Sequence, residues 1–231
     1  MTDVVHIVFP LFDNVTQLDF TGPAQFLSRL PGAKIHVAAE KIAPVVTDCG
    51  FAIMPNIRFA DCPQGHILCV PGGMGVAAAL ADSELIAFVR RQSAHAHWIT
   101  SVCTGAFILG AAGLIDGKRA TTHWGYTQLL PLVGATHEAG RVVRDGNLIT
   151  AGGVTSGIDF ALELIAIISG EDTAKSVQLS LEYNPSPPFA GGTPDTSSEN
   201  IVTNLREHFY DAAAARMAAA IALLPMNRTD A

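Results

Sequence analysis

Charge is scarce in this chain. Only 15% of its 231 residues are charged, and the 14 lysines and arginines are outnumbered by 21 aspartates and glutamates, for a formal net charge of −7. With no basic surplus to neutralise phosphates, neither nucleic acid nor an anionic membrane surface is an expected partner. Long hydrophobic runs are missing too: no window approaches the apolar length of a membrane span. The start, Met1-Thr-Asp-Val-Val-His6, lacks the basic region of a signal peptide and reads as the approach to a strand, so the expected location is the cytoplasm. Cysteine is limited to Cys49, Cys62, Cys69 and Cys103, with no C-x-x-C pair and no short His or Cys cluster. That spacing argues against a zinc site and against a disulfide framework, and favours free thiols in a reducing compartment. No internal repeat is present.

What remains is rich in core material. Apolar residues make up 49% of the chain, which suits one large domain. Buried-type strands are expected at Val4–Phe9, Ile35–Ala39, His66–Val70 and Trp98–Val102. Helices are expected from Thr21 (with Pro23 at the first helical position) to about Leu30, and over Ser83–Ala94, Thr104–Ala112, Ser156–Ile168 and Glu171–Glu182. Short antiparallel pieces are expected between Pro44 and Pro55. Thr121–Trp124 leads into a helix reaching about Pro131. Asp145-Gly146 marks a hairpin between Arg141–Arg144 and Asn147–Thr150. Residues 184–198 read as a Pro/Gly/Ser-rich loop, followed by one Ala-rich helix from about Asn200 to Leu224. Strands alternating with helices imply an α/β domain with a mostly parallel central sheet, flanked by helices. The expected division is a domain over 1–190 and, over 191–231, a loop and helix packed on it or at a subunit interface.

The segment Trp98-Ile-Thr-Ser-Val-Cys103-Thr-Gly-Ala-Phe-Ile-Leu-Gly-Ala-Ala112 passes from a β-branched half to a helical half, with one cysteine at the junction. A side chain on such a strand-to-helix turn projects above the carboxyl edge of the sheet, where the N–H groups of the new helix favour negative charge. Cys103 is therefore a candidate catalytic thiolate; the competing role is that of a small buried hydrophobe. Asp19 precedes Thr21-Gly22-Pro23 and is either a helix-terminal charge or the acid/base partner of Cys103. Gly72 and Gly73 follow a strand and serve either as a tight turn or as amides lying close to the reacting group. Asp19, Gly72, Gly73 and Cys103 all fall just after expected strands, so they should converge at one rim. His123, beside Trp124, is either a Cys–His partner or, as we favour, a packed, pocket-lining residue. Gly73-Met-Gly75-Val-Ala-Ala78 matches a dinucleotide fingerprint only superficially, because no acidic residue ends the next strand.

Together, Gln17-Leu-Asp19-Phe-Thr21-Gly22-Pro23, Val70-Pro-Gly-Gly73, Ser101-Val-Cys103-Thr104-Gly105 and Ala120-Thr-Thr-His-Trp124 resemble the class I glutamine amidotransferase-like superfamily, which includes PfpI-type proteases and the Parkinson's-associated deglycase. Within it the likeness is to the bacterial isocyanide-hydratase branch. It continues through Arg141–Asn147, Gly157–Leu162, Gln178–Tyr183 and Pro185–Phe189. The resemblance implies a flavodoxin-like sandwich, a homodimer, no metal or organic cofactor, and a small isocyanide as substrate. It also implies Cys103 as nucleophile, Asp19 as general acid/base and Thr104 as a donor beside the nucleophile, with Gly72, Gly73, His123 and Trp124 lining the substrate site. Superfamily proteases carry histidine directly after the nucleophile, where this chain has Thr104. The deglycase/glyoxalase branch carries glutamate where Asp19 stands. Other readings are a stand-alone ligand-sensing domain like that of AraC-type regulators, a redox sensor, or glyoxalase/deglycase activity. Against the first, the residues after Phe189 offer no basic helix pair.

Overall fold

A computed structural model describes residues 4–225; the first three and last six residues, and with them the outer ends of the expected spans 1–190 and 191–231, lie outside the described residues. In chain order, β1 (Val5–Pro10) leads to α1 (Gln17–Leu27) and β2 (Ala33–Ala39). After an antiparallel pair, Val45–Val46 with Ala52–Ile53, come β3 (Ile57–Arg58), β4 (Ile67–Val70), α2 (Val76–Ala79) and α3 (Ser83–Ser93). Next are β5 (Trp98–Val102), α4 (Gly105–Ala111), a 3₁₀ helix (Trp124–Val133), β6 (Val142–Asp145) and β7 (Leu148–Ala151). The chain continues through α5 (Ser156–Ser169), α6 (Glu171–Ser180), α7 (Glu199–Leu205), a π-helical turn (Arg206–Tyr210) and α8 (Asp211–Ala222).

β1–β7 form the central sheet in the order β6-β7-β5-β4-β1-β2-β3, beside two two-stranded sheets, the pair already named and Arg119–Ala120 with Thr136–His137. All neighbours are parallel except the β6–β7 hairpin. The fold is thus an α/β, flavodoxin-like sandwich with a mostly parallel central sheet flanked by helices. The central strands read as continuous apolar runs because helices cover both faces; every residue of β4 is buried. α1, α5 and α6 pack together, as do α2, α3 and α4, while α8 lies on α2 and the 3₁₀ helix. From α8, Ala213, Ala214, Met217 and Ile221 enter the core.

Local chemistry sets the element ends. The Asp82 carboxylate accepts the N–H groups of Glu84 and Leu85, each at 3.0 Å, and so caps α3. The Arg90 guanidinium donates to the carbonyls of Ala111 and Ala112 at the far end of α4, where Gly113 takes φ +77°.

Three local expectations are corrected. Helix α1 begins at Gln17, so Pro23 lies inside it rather than at its first position. Its ring packs on α5, where a Cβ at Gly157 would come 3.0 Å from Pro23 Cδ; this packing offsets the missing helical hydrogen bond. The hairpin pairs Asp145 with Leu148, so its loop is Gly146-Asn147, and Gly146 (φ +65°) supplies the left-handed residue. The C-terminal Ala-rich stretch is interrupted by the π turn instead of running as one helix.

Candidate active site

Because β5, β4 and β1 are neighbours and parallel, their carboxyl ends deliver the elbow cysteine, the glycine turn and helix α1 to one point on the rim. Cys103 sits directly after β5 with φ +55°, a left-handed conformation that an L side chain adopts only when its surroundings enforce it. Here its N–H donates to the Ala151 carbonyl (2.9 Å) and its own carbonyl accepts from Thr122 Oγ1 (2.7 Å). Gly105 follows because a Cβ there would stand 2.3 Å from the Val70 carbonyl oxygen.

The Asp19 side chain is wholly buried, 0% exposed, and faces the Cys103 sulfur. Its Oδ2 accepts the Gly72 N–H at 3.0 Å, whereas Oδ1 is buried with no hydrogen-bond partner among the described residues. Desolvation dominates its acidity. Burial raises the pKa from 3.8 to about 8, against the opposing pull of the Gly72 amide and of Cys103. Asp19 therefore keeps its proton to far higher pH than a solvated aspartate does. Burial is the main influence that pushes Cys103, 6% exposed, above the ordinary thiol range, while the Thr104 N–H and hydroxyl pull the other way by favouring its anion.

Gly72 and Gly73 act differently from the expectation that their amides meet the reacting group. The Gly72 N–H is taken up by Asp19, and the Gly73 N–H donates to Thr104 Oγ1 at 3.0 Å. They hold the acid and the threonine in place. A Cβ on Gly72 would lie 2.6 Å from Thr104 N and 2.9 Å from Asp19 Oδ2, so only glycine lets these groups close on one another. The Thr104 hydroxyl also lies 3.3 Å from the Gly73 carbonyl. Its single proton thus has two competing acceptors, that carbonyl and the sulfur.

His123 does not form an ion pair with Cys103. Its Nδ1 accepts the Gly125 N–H (3.2 Å) at the start of the 3₁₀ helix, and burial alone lowers its pKa to about 4. It is a neutral ring with its proton on Nε2. Trp124 packs beside it, with centroids 5.6 Å apart. The sequence reading missed Tyr126 and Tyr210, which lie close enough to Cys103 for its charge to raise the pKa of both hydroxyls, after desolvation. An aromatic residue within an Ala-rich helix was the one available signal for Tyr210. Among the described residues no group of three or more His, Cys, Asp or Glu side chains could hold a metal ion, and no helix is long and apolar enough to cross a membrane.

Comparison with known proteins identifies relatives of this chain. The DJ-1/PfpI family profile matches residues 5–167. The chain is 50% identical over 203 residues to an isonitrile hydratase from Pseudomonas putida, covering 88% of this chain and 89% of that protein. A crystal structure of a THiJ/PfpI family protein from Pseudomonas syringae superposes with a TM-score of 0.88 at 40% identity, over 94% of this chain and 91% of that one. The HTH-type transcriptional regulator CdhR of Pseudomonas aeruginosa is 30% identical over 152 residues, 64% of this chain but only 44% of the regulator. With the family profile spanning most of the sheet and the elbow, and with relatives matching along nearly the whole length, this chain belongs to the DJ-1/PfpI family.

Proposed function

We propose that the protein is an isocyanide hydratase, converting R–N≡C and water to an N-substituted formamide with Cys103 as nucleophile and Asp19 as the proton carrier. The observation that carries this reading is the buried Asp19 carboxyl facing the Cys103 sulfur, its acidity weakened by burial and one oxygen left without a partner among the described residues. The likeness to the Pseudomonas putida isonitrile hydratase supports it.

The terminal carbon of an isocyanide must gain a hydrogen and an oxygen. In the first step sulfur bonds to that carbon while Asp19 gives the carbon its proton and takes the thiol proton in exchange. This forms the thioimidate R–N=CH–S–Cys103 and leaves the carboxyl protonated. Water then adds across the C=N bond, its oxygen to carbon and a proton to nitrogen through Asp19, giving R–NH–CH(OH)–S–Cys103. Collapse forms the C=O bond, breaks the C–S bond and returns the hydroxyl proton to sulfur through Asp19. The atoms balance and no outside reductant or oxidant is needed. Splitting one hydration into two additions and an elimination is the advantage of the covalent route. The Thr104 N–H and hydroxyl stabilise the anionic character that sulfur acquires as its proton leaves.

The four free cysteines fit a cytoplasmic setting, and a homodimer is the expected assembly. Residues 191–225, with α8 on the core, are read as an extension of the domain. Conversion of an aryl isocyanide to its formamide, followed by absorbance for the parent, Cys103→Ala and Asp19→Asn, tests the proposal. Turnover in the parent that both substitutions abolish supports it; parent-level turnover in Cys103→Ala refutes the mechanism. The 30% identity to CdhR favours a ligand-sensing domain as second reading; binding of a small molecule by a parent that turns over no isocyanide would select it.

A further inference from the structure

The C-terminal segment lies beyond the stretch that the family profile matches, residues 5–167, yet it reaches the neighbourhood of Cys103. Its chain is interrupted at the π turn Arg206–Tyr210, where wider winding changes the helix face presented to the core. α8 after the turn buries alanine and aliphatic side chains. Tyr210, at the end of the turn, instead joins an aromatic cluster. Its ring centroid is 5.0 Å from that of His123, 4.7 Å from Trp124 and 6.1 Å from Tyr126.

Two features show that this placement is built in. At Gly125 a Cβ would stand 2.8 Å from Tyr210 Cδ1 and 2.9 Å from Cγ, so the glycine makes room for the ring. The Arg206 guanidinium, one helical turn earlier, lies over the same Trp124 ring at 5.3 Å and adds a second contact from this segment. The segment carrying His123 and Trp124 is itself tied to the elbow, since Thr122 Oγ1 donates to the Cys103 carbonyl and the Thr121 N–H donates to Thr150 Oγ1 (2.8 Å) on β7. The aromatic cluster is thus held beside the cysteine from two directions. Tyr210 is only half buried.

We propose that Tyr210 is a specificity-determining residue: with His123 and Trp124 it forms an aromatic wall beside Cys103 that accepts flat substituents and turns away branched ones. This rests on the hydratase reading of the site for its substrate class, but the wall restricts any reagent that approaches the sulfur. Flat rings stack on aromatic faces at little loss of contact, whereas a branched group against a rigid wall must displace it. The C-terminal segment thereby governs which isocyanide is taken, while Cys103 and Asp19 carry out the chemistry.

The test uses the full chain and the variants Tyr210→Ala and Tyr210→Phe. Turnover of phenyl and tert-butyl isocyanide gives one ratio of kcat/KM. Labelling of the Cys103 peptide by N-phenylmaleimide and N-tert-butylmaleimide gives another that requires no catalysis. Tyr210→Ala is expected to raise the tert-butyl-to-phenyl ratio at least tenfold in turnover, mainly through KM, and to raise the labelling ratio in the same direction. Tyr210→Phe should keep the ratios of the parent, because the ring and not the hydroxyl forms the wall. Ratios are insensitive to the fraction of folded protein, so a merely destabilising substitution leaves them unchanged. Unchanged ratios, including an equal fall in all rates, overturn the inference. If the parent turns over neither isocyanide, the hydratase reading fails, and the labelling ratio still decides for or against the wall.

Discussion

Replacing Asp19 with asparagine should make the protein more resistant to denaturant, and more so the higher the pH, while removing its activity. The Asp19 carboxyl has a pKa of about 8 in the folded chain against 3.8 when solvated. Between those values the folded chain holds a proton that the unfolded chain has released. Stability associated with that proton is complete below pH 3.8 and is lost as the pH rises through 8. A gap of about 4 pKa units at 1.36 kcal/mol each amounts to about 6 kcal/mol over the whole range, and about 4 kcal/mol by pH 7. Asparagine does not titrate, so its own fixed effect on packing shifts the comparison by a constant and leaves the slope intact. Urea unfolding followed by tryptophan fluorescence from pH 5 to 8, in reducing buffer and at constant protein concentration, measures this slope. The stability of Asp19→Asn minus that of the parent should widen by about 1 kcal/mol per pH unit. The same variant should lose roughly 10²- to 10⁴-fold in kcat/KM, the range expected for removal of a positioned acid. Parallel stability curves would refute the claim that the fold keeps this carboxyl protonated.

Gly72→Ala should lower stability by about 1–3 kcal/mol and kcat by at least tenfold, since its Cβ would press on Thr104 N and Asp19 Oδ2; φ at Gly72 is not left-handed, so intact activity would show that the close approach is unimportant. Thr104→Val leaves the Gly73 N–H unpaired and should lower stability by about 1–3 kcal/mol, with Thr104→Ser restoring both stability and turnover; equal losses in valine and serine variants would contradict this. Burial lowers the His123 pKa from 6.5 to about 4, so the stability it permits is complete above pH 6.5 and declines by about 3 kcal/mol as the pH falls to 4. His123→Phe should flatten that part of the urea-unfolding profile, and an unchanged acid limb would show that other groups cause it.

The central strands were readable because they are apolar runs between Gly, Pro and Asp signals, whereas the two-residue edge strand Ile57–Arg58 carries no such run. β4 and β5 lie within one residue of their expected bounds. The juxtaposition of Asp19, Gly72 and Cys103 could be anticipated for the same reason: each follows a strand, and the carboxyl ends of adjacent parallel strands share a rim. What the residues did not reveal was how the backbone amides are used. Glycine at 72 and 73 signals a close approach, but not whether the neighbour is a substrate or, as the hydrogen bonds show, Asp19 and Thr104. Pro23 misled because its ring packs on Gly157, a contact far away in the chain. Tyr210 was invisible for a similar reason: its direction depends on a π turn, which leaves no periodic trace in an Ala-rich sequence. Likewise the protonation of the Asp19–Cys103 pair is set by burial, a property of the folded chain and not of the local residues.

The left-handed backbone at Cys103 bears on how this position changes over generations. An L side chain at φ +55° costs about 1–2 kcal/mol relative to glycine, so selection for stability alone favours glycine there. Glycine would relieve this backbone cost, at the loss of a buried side chain from the core. A residue held against that gradient is a record of use.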